Sequence, residues 1–383
     1  MNRPHRRDHN AVPLGRRVAE LRARRGMSQQ AFADRLGKSK SWVDKVERGV
    51  RRLDRYSVIR EIAVVLRLDP EILLGPRHPP PPTTAGLDGV DAVRAALASY
   101  HHRSERTGTA DQARRQVAHA WLSYQHARYP QLLNALPALL DATHGTRSLL
   151  VATYRITAAV LVKLGEPHLA WLAADRAVTN AAGGPTLIGT ASIAVSAALR
   201  ALGQHRLALT AALAVADAVD DDAVRGSLFV QAGLAAAGTG DRRNTHDLLD
   251  HAADLADRRP SHPDPQHTGF GRSAVQLARC LAALHLGDLG DAIHRHEHAI
   301  RQHGWRHLPP EHRAAHLIEA ARAYLDTGDV GKAGQKLVEA DGVAPAEVRC
   351  RPTARTLLAE ITQRGPVPAD VARLGTVLHD RPL

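Results

Sequence analysis

Three side chains in the stretch KSKSWVDKVERG (Lys38–Gly49) have the types and spacing to donate hydrogen bonds to nucleotide bases: Lys40, Ser41 and Lys45. At 100° per residue along Lys40–Arg48, Val43 and Val46 fall on one side, flanked by Trp42 and Glu47. Ser41, Asp44, Lys45 and Arg48 fall opposite, with Lys40 at the margin. A lysine ammonium can donate to guanine O6 and N7, and a serine hydroxyl bonds several base edges. Arg51, Arg52 and Arg55 follow closely and suit phosphates, whose neutralisation releases counterions. A merely solvated basic face would have the same composition, so the neighbouring elements must decide.

Those elements read as short helices. Leu14–Arg25 is amphipathic, with Val18 and Leu21 on one face. Ser28 caps a helix through Leu36, Gly37 makes the turn, Ser39 caps the next helix to Arg48, and Gly49 closes it. Tyr56–Leu66 follows with Val58, Ile59, Ile62 and Leu66 at helical spacing, and Pro70 suits the first turn of a short fifth helix ending at Leu74. A helix preceded by a short turn and another helix is the geometry that enters a major groove.

Over this five-helix length the sequence resembles the XRE-type (Cro/C1) helix-turn-helix family. The resemblance implies a lambda-repressor-like fold and double-stranded DNA, an operator, as partner. It implies a phosphate contact for Gln29, base contacts for Lys40, Ser41 and Lys45, and an ion pair between Arg22 and Glu47, and Ser39, Trp42, Arg48, Arg51, Arg52 and Arg55 count with them as candidate DNA contacts. Trp42 stands where the family often has a small polar residue, and it either packs over sugar and backbone or roofs the core.

Charge separates this region from the rest. The formal net charge of the 383 residues is +12, and residues 1–77 hold 19 Lys and Arg against 9 Asp and Glu, leaving the remainder at +2. One end therefore seeks polyanions and the other is nearly neutral. The chain is 44% hydrophobic but only 3% aromatic, which favours close-packed helices over sheets. Two distant cysteines, Cys280 and Cys350, make no disulfide framework and fit a cytoplasmic setting. Neither reads as a reactive thiol, because no cationic niche is evident for either. The N-terminus has no apolar run of a signal peptide, and no stretch of about 18 apolar residues would span a membrane.

The expected organisation is a flexible basic tail at 1–13, the DNA-binding domain at 14–75 and a Pro-rich linker at 76–89. Four consecutive prolines in that linker favour a semi-stiff polyproline II spacer. Helical repeats fill 90–345, and capping helices 346–383. The repeats align on Gly165, Gly203, Gly240, Gly287 and Gly328. Small residues recur seven before (Ala158, Ser196, Gly233, Cys280, Ala321) and five after (Ala170, Ala208, Thr245, Ala292, Ala333). A degenerate unit precedes them with Arg128 at the glycine position. The pattern resembles the tetratricopeptide repeat, which implies helix pairs stacked as an α-solenoid. It departs from that repeat nine residues after the glycine, where the usual bulky aromatic is missing. A 47-residue gap also carries the loop RRPSHPDPQHTG.

A stack of this kind has an inner face lined by the first helix of each pair. In register, it includes Arg115, Gln125, Arg155, Lys163, Thr190, Arg200 and Arg322, a groove suited to a peptide or small acidic effector. These residues would equally serve only to stabilise the stack or a homodimer. Peptide-sensing regulators of Gram-positive bacteria combine the same two modules but favour groove asparagines, and Asn134, Asn180 and Asn244 fall outside the first helices. The Ala-, Arg-, His- and Gly-rich composition looks actinobacterial.

Seven histidines cluster between His294 and His316, with i,i+4 pairs His294/His298 and His312/His316. The H-E-x-x-H signature fails because Ile300 stands four after His296, so the cluster reads as a solvated face and no metal or other cofactor is expected. No phosphate loop, nucleophile elbow or catalytic carboxylate pair occurs, so no enzyme is expected. Asp220–Asp222 read as a helix-terminal charge cluster. The whole points to a sequence-specific transcriptional regulator, dimeric and effector-sensing. The alternative is an interaction adaptor in which DNA contact is secondary.

Overall fold

The computed structural model describes residues 14–51, 53, 56–66, 88–99, 109–258 and 264–380. All regular elements among them are helical, and the chain divides into two units, Met1–Pro82 and Thr83–Leu383. The fold class expected from the sequence is the one observed.

In the first unit, α1 (Leu14–Arg24), α2 (Gln29–Leu36), α3 (Lys40–Glu47) and α4 (Tyr56–Leu66) enclose Val18, Phe32, Ala33, Val43, Ile62, Ala63 and Leu66. Burying each large apolar side chain contributes about 1.5–3 kcal/mol, which suffices to fix four short helices that would not persist alone. Gly15 lets α1 approach α3, because a β-carbon there would strike the Val46 carbonyl. The tail 1–13, the fifth helix at Pro70–Leu74 and most of the Pro-rich linker lie outside the described residues. The last two linker positions are already helical, since α5 (Asp88–Ala98) starts with acidic residues that suit a helix N-terminus.

The second unit is a series of helical hairpins. They are α6 (Ala110–Gln125) with α7 (Tyr129–Thr143), α8 (Arg147–Lys163) with α9 (Pro167–Asn180), and α10 (Pro185–Ala201) with α11 (His205–Ala216). Then come α12 (Asp222–Thr239) with α13 (Arg242–Asp257), α14 (Arg272–His285) with α15 (Leu289–Arg301), and α16 (Pro310–Asp326) with α17 (Val330–Val343). A 3-10 turn, His303–His307, leads into α16. Three helices follow the last hairpin: α18 (Pro345–Arg349), α19 (Pro352–Gln363) and α20 (Ala369–Asp380).

The turn chemistry is the same in all six hairpins. Gly165, Gly203, Gly240, Gly287 and Gly328 take φ between 72° and 90°. Their N–H groups bond three residues back, and the next N–H bonds five back, as in Gly203 to Arg200 and Gln204 to Leu199. This closure satisfies two orphan carbonyls at the end of the first helix. In the first hairpin the left-handed residue is Ala127, φ 52°, and not Arg128 as the sequence register suggested. The same two bonds run from Ala127 to Tyr124 and from Arg128 to Ser123. The turn lies one residue earlier than the repeat register because Ala127, and no glycine, takes the left-handed conformation here.

Small residues form the crossings as expected. The two aligned sets are buried throughout. At Ser196 and Cys280 the side chain donates across the hairpin to the carbonyls of Ala208 (2.9 Å) and Ala292 (3.1 Å). One large core joins α5–α10 to α16–α20, while hairpins three to five carry smaller alanine-rich clusters. The series thus turns back: Tyr124 of the first hairpin meets Glu311 of the sixth, and Gly165 of the second lies against Pro352 of α19. Among the described residues, no helix is long and apolar enough to cross a membrane.

Candidate nucleic-acid interface

Local chemistry positions α3. The Ser28 hydroxyl accepts from the Ala31 N–H and starts α2, and Gly37 at φ 62° ends it. The Ser39 hydroxyl accepts from the Trp42 N–H at 3.1 Å, so this residue caps α3. Val43 and Val46 are buried, while Lys40, Ser41, Lys45 and Arg48 are exposed on the opposite side, as the periodicity indicated.

The connection from α1 to α3 is a buried carboxylate. Glu47 accepts from Arg22 Nε at 2.6 Å and Nη2 at 3.0 Å. This hydrogen bond raises the Arg22 guanidinium above its ordinary value, against the opposing effect of burial. Arg22 Nη1 also donates to the Met27 carbonyl at 2.6 Å, fixing the turn before α2. The Gln29 amide donates to Glu47 as well, at 2.8 Å, so its side chain braces α3 from within.

The basic positions differ in what already holds them. Arg48 pairs with Asp44 at 3.2 Å one turn back. Arg51 is exposed, with its guanidinium carbon 6.0 Å from the Trp42 ring centre. Trp42 is half-buried and packs against the core, which places its ring on the roof of the bundle. Lys40, Ser41 and Lys45 make no side-chain hydrogen bond or ion pair with a described residue. Arg52 and Arg55 lie outside the described residues.

The inner-face residues of the second unit are mostly engaged by the fold. Lys163 pairs with Glu311 and, at 3.2 Å, with Glu347. Arg351 pairs with Glu347 at 2.9 Å and Glu319 at 3.4 Å. The Tyr129 hydroxyl donates to Glu347 and that of Tyr124 to Glu311. Burial opposes a charged Glu311, but Lys163 and His312 outweigh it and hold the carboxyl below its ordinary value. Lys163 was expected to line an open groove. It instead ties the second hairpin to the sixth, because it meets two carboxylates with almost no solvent access.

Arg322 points to α19, where Glu360 accepts at 2.6 and 3.1 Å. Arg200 Nη1 donates to Gln231 at 2.7 Å, and burial lowers its guanidinium to about 10. Thr190 is buried with its hydroxyl on the Leu187 carbonyl. Arg155 is buried and bonds the Gln266 carbonyl. Gln125 is half-buried and Arg115 exposed. The carboxylates Glu311, Glu319 and Glu347 were not singled out from the sequence, since they lie 148 to 184 residues from Lys163 and have no spacing signal.

The histidine cluster is not one solvated face. His296 and His316 are buried against each other, Nδ1 to Nε2 at 2.9 Å, and Tyr324 and Trp305 surround them. Burial pushes them down to about 4 and about 3. Among the described residues, no group of three or more His, Cys, Asp or Glu could hold a metal ion. Burial raises Cys280 to about 12 and Cys350 to about 11, so both are poor nucleophiles near neutrality.

The first unit therefore has the architecture of a helix-turn-helix domain. Residues 13–73 match the protein family described as "Helix-turn-helix domain". No curated relative matches the sequence. Among solved structures, the chain is similar to Bacillus thuringiensis PlcR in its crystal structure with the peptide PapR7 and DNA. The identity is 9%, the alignment covers 87% of this chain and 95% of that one, and the TM-score is 0.39. A likeness so loose transfers neither site nor ligand.

Proposed function

We propose that the chain is a sequence-specific DNA-binding transcriptional regulator. The observation that carries this reading is the uncovered face of α3. Lys40, Ser41 and Lys45 project from a helix whose opposite side is locked into the core by Val43, Val46 and the Arg22–Glu47 pair. In this reading α3 enters the major groove, and the lysines and serine meet base edges. Arg48 and Arg51 take phosphates, and the Trp42 ring supports Arg51. Two copies, held together through the repeat unit, read half-sites about 34–36 Å apart. An effector on the inner face, a peptide or a small acidic molecule, changes that spacing.

Genomic footprinting followed by mobility shift tests the reading. The full chain should prefer its footprinted sequence over random duplex, and Lys40→Ala with Lys45→Ala should remove the preference. If the folded wild-type chain shows no preference for any recovered sequence yet captures a protein partner, the adaptor reading replaces this one.

A further inference from the structure

The described end of the connection between α13 and α14 reaches beyond the two hairpins that it joins. Its segment Asp264–Gly271 lies against the first helices of hairpins one, two, four and six. His267 stacks on Trp121 of α6, with ring centres 5.2 Å apart and planes 17° from parallel. Arg155 of α8 donates from Nη2 to the Gln266 carbonyl at 2.8 Å. Phe270 covers Gly226 of α12, where any β-carbon would strike the ring, and Gly269 lies against His312 of α16.

The segment is also held by hydrogen bonds of its own. Asp264 accepts the Gly269 N–H at 2.7 Å and the Thr268 hydroxyl at 3.1 Å, and its carbonyl accepts the His267 N–H. His267 sits at φ 51°, which costs a non-glycine residue about 1 kcal/mol. Such a residue persists where its surroundings over-determine it.

The receiving side has the features of a ligand site. Arg155 is 6% exposed, and its guanidinium carbon lies 5.2 Å from the Trp121 ring centre. No carboxylate of a described residue pairs with it directly, although Asp264 acts on it through space. A flat indole beside a buried guanidinium, answered by one main-chain carbonyl and one stacked ring, matches the chemistry of peptide recognition.

We propose that Trp121 and Arg155 form a peptide-recognition site that the chain's own segment Asp264–Gly271 fills in cis. Its ligand class is a short peptide presenting a carbonyl or carboxylate to Arg155 and a flat ring to Trp121. Such a ligand must displace the resident segment, so its apparent affinity falls with the fraction of molecules in which the site is open. This deepens the effector reading above and rests on it for regulatory use, but the site itself is tested without DNA.

The probe is a fluorescein-labelled peptide spanning residues 264–271. The receptor is the full chain with those residues replaced by Gly and Ser at equal length. Anisotropy should show saturable binding to this variant. Binding to the wild type should be at least tenfold weaker, and Trp121→Ala or Arg155→Ala in the replaced background should abolish it. A folded replaced variant that does not bind, or that binds equally well without Trp121 and Arg155, overturns the proposal. Should the replacement prevent folding, His267→Ala in the otherwise intact chain serves instead. It should speed amide exchange across residues 265–271 and admit the peptide, and unchanged exchange and binding overturn the proposal. Operator binding measured on the same preparations separates failure of this site from failure of the regulator reading.

Discussion

Helix α3 and the inner helices of the repeat unit carry the same residue types and use them in opposite ways. On α3, Lys40 and Lys45 are exposed and meet no described partner. In the repeat unit, Lys163 bridges two carboxylates and Arg322 clasps Glu360. A cation in the sequence is thus not a site by itself. What decides is whether the fold supplies the counter-charge. Residues 1–77 have 19 cations against 9 anions and leave some uncancelled, whereas the rest of the chain is nearly balanced at +2. An uncancelled surface charge is available to a polyanion at little desolvation cost. A charge taken out of water is tied to its partner, because separating them strands the other.

The largest test of this contrast removes charge from each region in turn. Lys40→Ala with Lys45→Ala should weaken operator binding by about 2–6 kcal/mol, at about 1–3 kcal/mol for each base contact, with the fold intact. Quantitative mobility shift and circular dichroism measure the two effects. Lys163→Met should do the reverse. It leaves Glu311 and Glu347 buried without their shared cation, so stability should fall by about 3–5 kcal/mol in chemical denaturation of the second unit. Equal stability losses from both changes would erase the distinction.

The buried histidines sharpen it next. His296 and His316 are neutral in the fold and have values of about 4 and about 3, below the ordinary 6.5. Lys336 disfavours their protonation, while Glu297 and Glu339 favour it at His296. The unfolded chain takes up protons first as pH falls. Stability is therefore nearly complete at pH 7 and declines from about 6.5 to about 3, with about 4 kcal/mol lost between pH 7 and pH 5 for the two groups together. His316→Gln should flatten this slope in denaturation curves taken across the range.

Much of this was legible in advance, for identifiable reasons. Ser28, Gly37 and Ser39 announced the turn between α2 and α3 because caps and left-handed residues are local signals. Five glycines announced five hairpins for the same reason. The pairing of Lys163 with Glu311 was not legible, since nothing local links residues 148 apart. Nor was the burial of His296 with His316, which depends on how two helices meet. The 47-residue spacing did mark RRPSHPDPQHTG as extra chain, but not that its end lies on Trp121 and Arg155.

The smallest effects belong to the turns, which lie apart from both sets of charges and set the scale for them. Gly203 and Gly240 are left-handed at φ 72° and 80°, and a β-carbon at either would meet nothing within 4 Å. Alanine there incurs only the backbone cost, about 1 kcal/mol, in part recovered through a stiffer unfolded chain. Gly240→Ala should therefore lower stability by about 0.5–1 kcal/mol and leave operator affinity unchanged. Ala127 already carries that cost at φ 52°, but its methyl is buried at 5% exposure. Ala127→Gly relieves the strain while giving up buried apolar contact and loosening the unfolded chain. These terms oppose each other, so the change should stay within about 0.5 kcal/mol of zero. A gain well above 1 kcal/mol in thermal denaturation would mean that this alanine is held against a steeper backbone penalty than the glycines reveal.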